Sequence, residues 1–249
     1  MTGEKRLNEI ADKVLRMCKA DPPSRGSGEA SEYEVLLFVT DHGLTRFANS
    51  QIHQNVAYED LGISVRVVIH DGAGPATSFP PRKPTRGPLL GGPPTRVTRQ
   101  AGSGARIGVA STNSFDPKAL RDVVKRAENL AKLNKVDPHF KGLPKPKKLP
   151  QVKKFMHEVT PDERADAVAE IIRQAKSKKI TASGAFDSAI TEVAVANSHG
   201  LWAYHAGSAS NLSAILMGHD STGFGGQIGR RGSEIDAAEV GRRAIDKVE

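Results

Sequence analysis

Histidine stands directly before glutamate once in this sequence, at His157-Glu158, among eight histidines in all. Two imidazoles one helical turn apart can point at one cation, so a helical metal site built here needs a second histidine at position 161 or 162. Pro161 and Asp162 occupy those places, and neither HExxH nor HExxxH is completed. His199, His205 and His219 fall on separate strand or turn positions and read as ordinary surface or turn histidines. Cys18 is the single cysteine, so an intramolecular disulfide is impossible and a thiolate cage would need ligands from elsewhere. The stretch Gly223-Phe224-Gly225-Gly226-Gln227-Ile228-Gly229 resembles a phosphate cradle in composition. It has neither the GxGxxG spacing nor a following Lys-Ser/Thr, and it reads as a flexible turn. Glu59 and Asp60 are adjacent at an expected strand end, where neighbouring side chains point to opposite faces and cannot share a proton. Nothing resembles a nucleophile elbow. These residues yield no catalytic group and no metal ligand.

The polar residues Asn49, His53, Gln54 and Asn55 sit inside an alternating stretch, Leu44 to Ile69. Asn49-Ser50 is accounted for by turn chemistry. On the strand that follows, Ile52, Gln54 and Val56 share one face and His53, Asn55 and Ala57 the other. His53 and Asn55 fit either the solvated outer face of a sheet or a surface that lines a substrate.

Positioning falls to an α+β arrangement. Leu7, Ile10, Ala11, Val14, Leu15 and Cys18 recur at helical spacing and predict a helix over 4–19, with Cys18 in its core stripe. Strands follow at 33–39, 44–48, 51–60 and 61–70, with Thr40 to Gly43 expected to turn the chain between the first two. Residues 73–104 hold seven prolines and six glycines, a composition that removes ladder donors and buries little surface. Excising them leaves VRVVIHDGARIGVASTN, a hairpin joined by Asp-Gly, so the segment reads as a disordered insertion at a hairpin tip. Asp116-Pro117 opens a helix with Leu120, Val123, Val124, Ala127, Leu130 and Ala131 as its buried stripe. Residues 135–154, with seven lysines and four prolines, read as a linker or surface crossing. Thr160-Pro161-Asp162-Glu163 is a capping box opening a helix to about Lys178, and Asp236 to Glu239 is another. Between them four strand runs are expected, at 180–189, 190–198, 201–207 and from 210. The last helix meets Glu249 without a stop signal, which reads as truncation within something larger. The expected organisation is an antiparallel β-meander flanked by helices over 1–134, the linker 135–154, and a second helix-plus-antiparallel-sheet region over 155–249, two halves of related order.

With 38% hydrophobic residues and no apolar run near the roughly 18 residues that span a bilayer, the chain carries no membrane signal and is expected in the cytoplasm. The net charge of +8 invites a nucleic-acid reading. Residues 73–104 contribute +5 and residues 135–154 contribute +6, leaving −3 for the rest. A basic groove on the folded scaffold is therefore not expected, nor is nucleic acid as a partner. A non-catalytic binding protein using these basic segments against nucleic acid or an acidic protein is the alternative function. An unstable, defective product is a third.

At the stretch RFANSQIHQNVAYEDLGISVRVVI, then at GVASTNSFDPKALRDVVKRAENLAK and VAVANSHGLWAYHAGSASNLSAILMGHDSTGFGGQIGRR, the sequence resembles the TldD/PmbA family of proposed metallopeptidases, once called modulators of DNA gyrase. The resemblance implies a homodimer or heterodimer enclosing a proteolytic chamber for peptide or unfolded polypeptide. In the metal-binding branch, zinc is held by an HExxxH helix and a later cysteine, both beyond Glu249 and neither mapped onto this chain. The other branch lacks that motif and serves as partner subunit. The expectation is a non-catalytic N-terminal portion that supplies scaffold, dimer contact and a peptide-lining surface at His53, Asn55 and Asn49, with no cofactor of its own.

Overall fold

The computed structural model describes residues 1–20, 31–70, 104–148, 152 and 154–248. The Pro/Gly-rich segment lies almost wholly outside the described residues. Helix α1 spans Glu4–Ala20 and buries Leu7, Ile10, Ala11, Val14, Leu15 and Cys18, the stripe its periodicity predicts. Helix α2, Pro117–Leu133, starts where the Asp116 carboxylate accepts from the Lys118 amide. Its stripe differs in one place, since Leu130 is 41% exposed and Glu128 is buried instead. Helix α3, Pro161–Ser177, carries the full capping box: Thr160 accepts from the Glu163 amide and Glu163 from the Thr160 amide. Helix α4, Ala237–Ile245, is capped by Asp236, which accepts from the Glu239 amide.

Six strands form one antiparallel sheet: β1 (Ser31–Ala48), β2 (Gln51–His70), β3 (Ala105–Thr112), β4 (Thr181–Asn197), β5 (Trp202–Met217) and β6 (Thr222–Gly229), in the order β3-β2-β1-β4-β5-β6. The expected turn at Thr40 to Gly43 is absent. These residues pair with Asp60 to Ala57 on one side and with Thr191 to Ser188 on the other. Pairing on both sides overrides the local turn preference. Gly43 is there because a Cβ would stand 2.3 Å from Arg164 Nη1. The runs 51–60 and 61–70 likewise fuse into β2, so Glu59 and Asp60 lie mid-strand, and the four runs of the second half fuse into β4 and β5. The Asn49-Ser50 turn is as expected, with φ of 50° and 56°, the left-handed pair that closes a two-residue hairpin.

The glycine stretch 223–229 is a correction as well. It is edge strand β6, and its glycines are steric: a Cβ on Gly223 or Gly225 would meet the carbonyl oxygens of Ala244 and Val240 at 1.9 and 2.1 Å. Helix α4 lies directly on the strand backbone.

All four helices cover one face of the sheet. Under α1 and α2, Val35, Leu37, Val39, Ile63, Val65 and Val67 are buried; under α3 and α4, Phe47, Phe186, Leu212 and Leu216 are. Each such side chain contributes about 1.5–3 kcal/mol when fully buried.

The element order repeats, helix, two long strands, one short strand, helix, and so does the pairing register. Thr40↔Asp60 matches Thr191↔Gly207, Ile63↔Thr112 matches Ser210↔Gly229, and His70↔Ala105 matches Met217↔Thr222. The halves join where β1 pairs with β4. The strands flanking the Pro/Gly-rich segment thus pair as the sequence predicts. Residues 135–148 form a surface crossing in which Asp137 bridges Ala105, and Leu143 packs with Val68 and Ala105.

Candidate functional site

The short strand β3 reaches only to the Ile63↔Thr112 pair, so among the described residues β2 from Gln51 to Asp60 pairs with β1 alone. Among the described residues nothing pairs with its outer side there, an open sheet edge about 30 Å long over those ten residues at ~3.3 Å per residue, and Leu61 and Gly62 extend it to the start of β3. Free edges expose unpaired amides and carbonyls and pair readily with another strand. Ile52, Val56 and Tyr58 on this edge are 38%, 38% and 55% exposed, and the Tyr58 ring lies 4.9 Å from that of His42.

The three residues expected to line a substrate all fall here, at different stations. Asn49 is in the hairpin turn, exposed, with a left-handed backbone. His53 is the extra residue of a β-bulge, since Arg46 pairs with Gln54 and Phe47 with Ile52. A bulge bends the strand and re-aims its side chain. Asn55 is exposed but stands on the helix side of the sheet: its Oδ1 accepts from Thr45 Oγ1 at 2.9 Å and its Nδ2 donates to the Pro161 carbonyl at 3.3 Å.

The centre of that inward contact is Arg164, which sequence reasoning missed. It is 2% exposed. Its Nη1 donates to the Val159 carbonyl at 2.6 Å and Ser188 Oγ at 3.4 Å, Nε to Thr45 Oγ1 at 3.3 Å, and Nη2 to Asn55 Oδ1 and the Val56 carbonyl, both at 3.4 Å. Burial pulls the guanidinium below its ordinary pKa, partly opposed by Glu163. The cation is held by neutral oxygens that tie β1, β2, β4 and the start of α3 together. The signal was available: Arg164, Val168, Ile171, Ile172 and Ala175 are the buried stripe of α3, and an arginine stands at its head.

Two shallow grooves bound the edge. One of about 530 Å³ at the turn end is lined by Ser50, Gln51, Ile52, Ile172, Arg173 and Lys176. The other, about 480 Å³, is lined by Phe38, Asp60, Gly62, Thr112, Asn113 and Arg126, where β3 stops.

The histidines considered as ligands do not meet. His199 Nε2 lies 3.0 Å from Glu32 Oε1, His219 faces Asp220 at 2.6 Å in solvent, and His205 is exposed on β5. His70 Nε2 reaches the same Glu32 oxygen at 3.4 Å, and Glu32 Oε2 accepts from the Leu143 amide at 2.7 Å, so this carboxylate ties down the crossing. Among the described residues no three His, Cys, Asp or Glu side chains gather as a metal site. Cys18 is buried, and desolvation, with Glu128 adding to it, pushes its thiol up to about 12.

Residues 157–249 match the PmbA/TldA metallopeptidase central domain. No curated protein matches the sequence. Among solved structures, TldE from Thermococcus kodakarensis superposes with a TM-score of 0.73 at 19% identity, covering 96% of this chain and 47% of its own. A protein described as a candidate modulator of DNA gyrase from Thermotoga maritima MSB8 gives 0.66 at 14% identity, covering 97% and 47%. A similarly described protein from Bacteroides thetaiotaomicron VPI-5482 gives 0.68 at 11%, covering 99% and 50%. The chain spans about half the length of these structures, and at such identities they share its fold. Residues 157–249 are thus similar to the PmbA/TldA central domain, and the fold across nearly the whole chain is that of these structures.

Proposed function

We propose that this chain is the non-catalytic, N-terminal portion of a TldD/PmbA-like metallopeptidase or of its partner subunit, working in the cytoplasm as a homodimer or heterodimer. It supplies scaffold, a dimer contact, and an edge that holds extended or unfolded polypeptide. The observation that carries this reading is the run of β2 from Gln51 to Asp60, whose outer side no described residue pairs with, braced from beneath by Arg164. A peptide adding to that edge gains main-chain hydrogen bonds independent of its sequence, with His53 and Asn49 beside it and Asn55 fixing the strand from the helix side.

The metal that the family's description implies does not fit the described residues, because their imidazoles and carboxylates do not converge. In this reading the hydrolytic ion is held by another stretch of polypeptide, and no bond-breaking step is assigned to these side chains.

The test is titration of the chain with a permanently unfolded, reduced and carboxymethylated protein, followed by hydrogen exchange. The reading expects saturable binding that slows exchange within residues 51–61. Binding that leaves those amides unchanged, or no binding, overturns it.

A further inference from the structure

The register repeat makes the two halves directly comparable at their edges. In the second half, β6 covers β5 only from Ser210 onward, leaving Trp202 to Ala209 as the counterpart of the free stretch of β2. At Gly207 and Ser208 that counterpart is met by the chain itself. Phe155 bridges Gly207 in parallel orientation, the Ser208 amide donates to the Phe155 carbonyl at 2.7 Å, and the His157 amide donates to Ser208 Oγ at 3.1 Å. By the register repeat, Gly207 corresponds to Asp60 and Ser208 to Leu61. The molecule therefore displays on one edge how an added segment docks on the other: extended, parallel, and seated where the short strand stops.

The corners of the β2 edge differ in charge. At the Gln51 end the groove carries Lys176 and Arg173 above Ile52; Arg173 is held bidentate by Glu170, so among the described residues of this groove Lys176 is the cation left to meet a ligand. At the other end Glu59 and Asp41 face the Met1 amino group at 3.9 and 2.8 Å, and Arg126 donates to the Ser111 carbonyl at 2.8 Å. Asp60 stands exposed at that end.

We infer that the β2 edge takes a peptide running parallel to β2, with an acidic residue toward its N-terminal end at Lys176 and a basic residue toward its C-terminal end at Asp60. This rests on the edge-binding reading above and adds the direction and charge order of the ligand. A second copy of the chain fits less well. Antiparallel two-fold pairing of 51–60 with itself would set His53 against Tyr58 twice, placing the bulge inside the ladder at both crossings.

Three labelled ten-residue peptides with a Thr/Val centre separate the outcomes by fluorescence anisotropy on the whole chain: Glu near the N-terminus with Lys near the C-terminus, the reverse, and a neutral one. The expected result is about tenfold tighter binding of the first over the second, from two exposed charge pairs each changed in sign. The double variant Lys176→Glu, Asp60→Lys is expected to invert that order. Equal binding of all three, with exchange slowed at 51–61, keeps the edge as a peptide site and overturns the charge order. No binding overturns both readings, and if light scattering then shows a dimer with 51–60 already protected, the second copy is the occupant.

Discussion

Thr40 and Thr191 face each other across the β1–β4 seam with their hydroxyl oxygens 3.3 Å apart, at the point about which the two halves repeat their strand register. From that pair outward, each position of β2 from Asn55 to His70 has a counterpart on β5, from Trp202 to Met217. The comparison leaves one difference at the edges: Phe155 bridges the β5 side at Gly207, whereas among the described residues nothing pairs with the outer side of β2 from Gln51 to Asp60.

Arg164→Ala is expected to destabilise the chain by about 3 kcal/mol in urea unfolding, because Thr45, Ser188 and the Val159 carbonyl lose a buried partner. Arg164→Lys is expected to recover little of this. An ammonium cannot spread over five oxygens as the planar guanidinium does.

Asn55→Leu is expected to cost about 1–2 kcal/mol, since it leaves Thr45 Oγ1 and Arg164 without a shared acceptor. His53→Ala, on the exposed bulge, is expected to stay within about 0.5 kcal/mol. The same unfolding series checks both, and equal effects would contradict the contrast between an inward and an outward side chain.

Gly225→Ala is expected to be poorly tolerated, with a loss of about 2 kcal/mol or more, because its Cβ would press on the backbone carbonyl of Val240. A thermal melt decides the matter. A flexible loop would accept the methyl without a change in Tm.

Cys18 supplies a pH dependence. Its thiol is pushed from 9.0 to about 12 in the folded chain, so the unfolded state releases its proton first as pH rises. The contribution is fully present below about pH 9 and falls between about 9 and 12, by at most ~1.4 kcal/mol per pH unit. Unfolding of the wild type against Cys18→Ala across that range isolates it. The folded chain is also expected to resist thiol alkylation at neutral pH.

Helices were legible because their signals are local: Pro161 at a helix start, the Thr160/Glu163 box, and the period-3.6 stripe of α1 fix a boundary without reference to distant residues. Strand lengths were not. Asp41, His42 and Gly43 carry turn chemistry, yet a central strand paired on both sides overrules them, and the same holds at Ser188 to Ile190 in β4. The glycines of β6 failed for a related reason, since Gly223 and Gly225 answer to Ala244 and Val240 of a helix about 15–20 residues further along the chain. At the candidate site, Asn49, His53 and Asn55 were noticed for their polarity. The turn at Asn49 was legible locally, the bulge at His53 depended on the β1–β2 register, and the role of Asn55 depended on Arg164, more than one hundred positions away in the chain.

Hydrogen exchange along β2 in the chain without any added ligand tests the open edge most directly. The account predicts two regimes on one strand: outward amides among residues 51–61 exchanging fast, and those of 63–70, covered by β3, exchanging slowly. Uniform slow exchange from Gln51 to His70 in a monomer would contradict it.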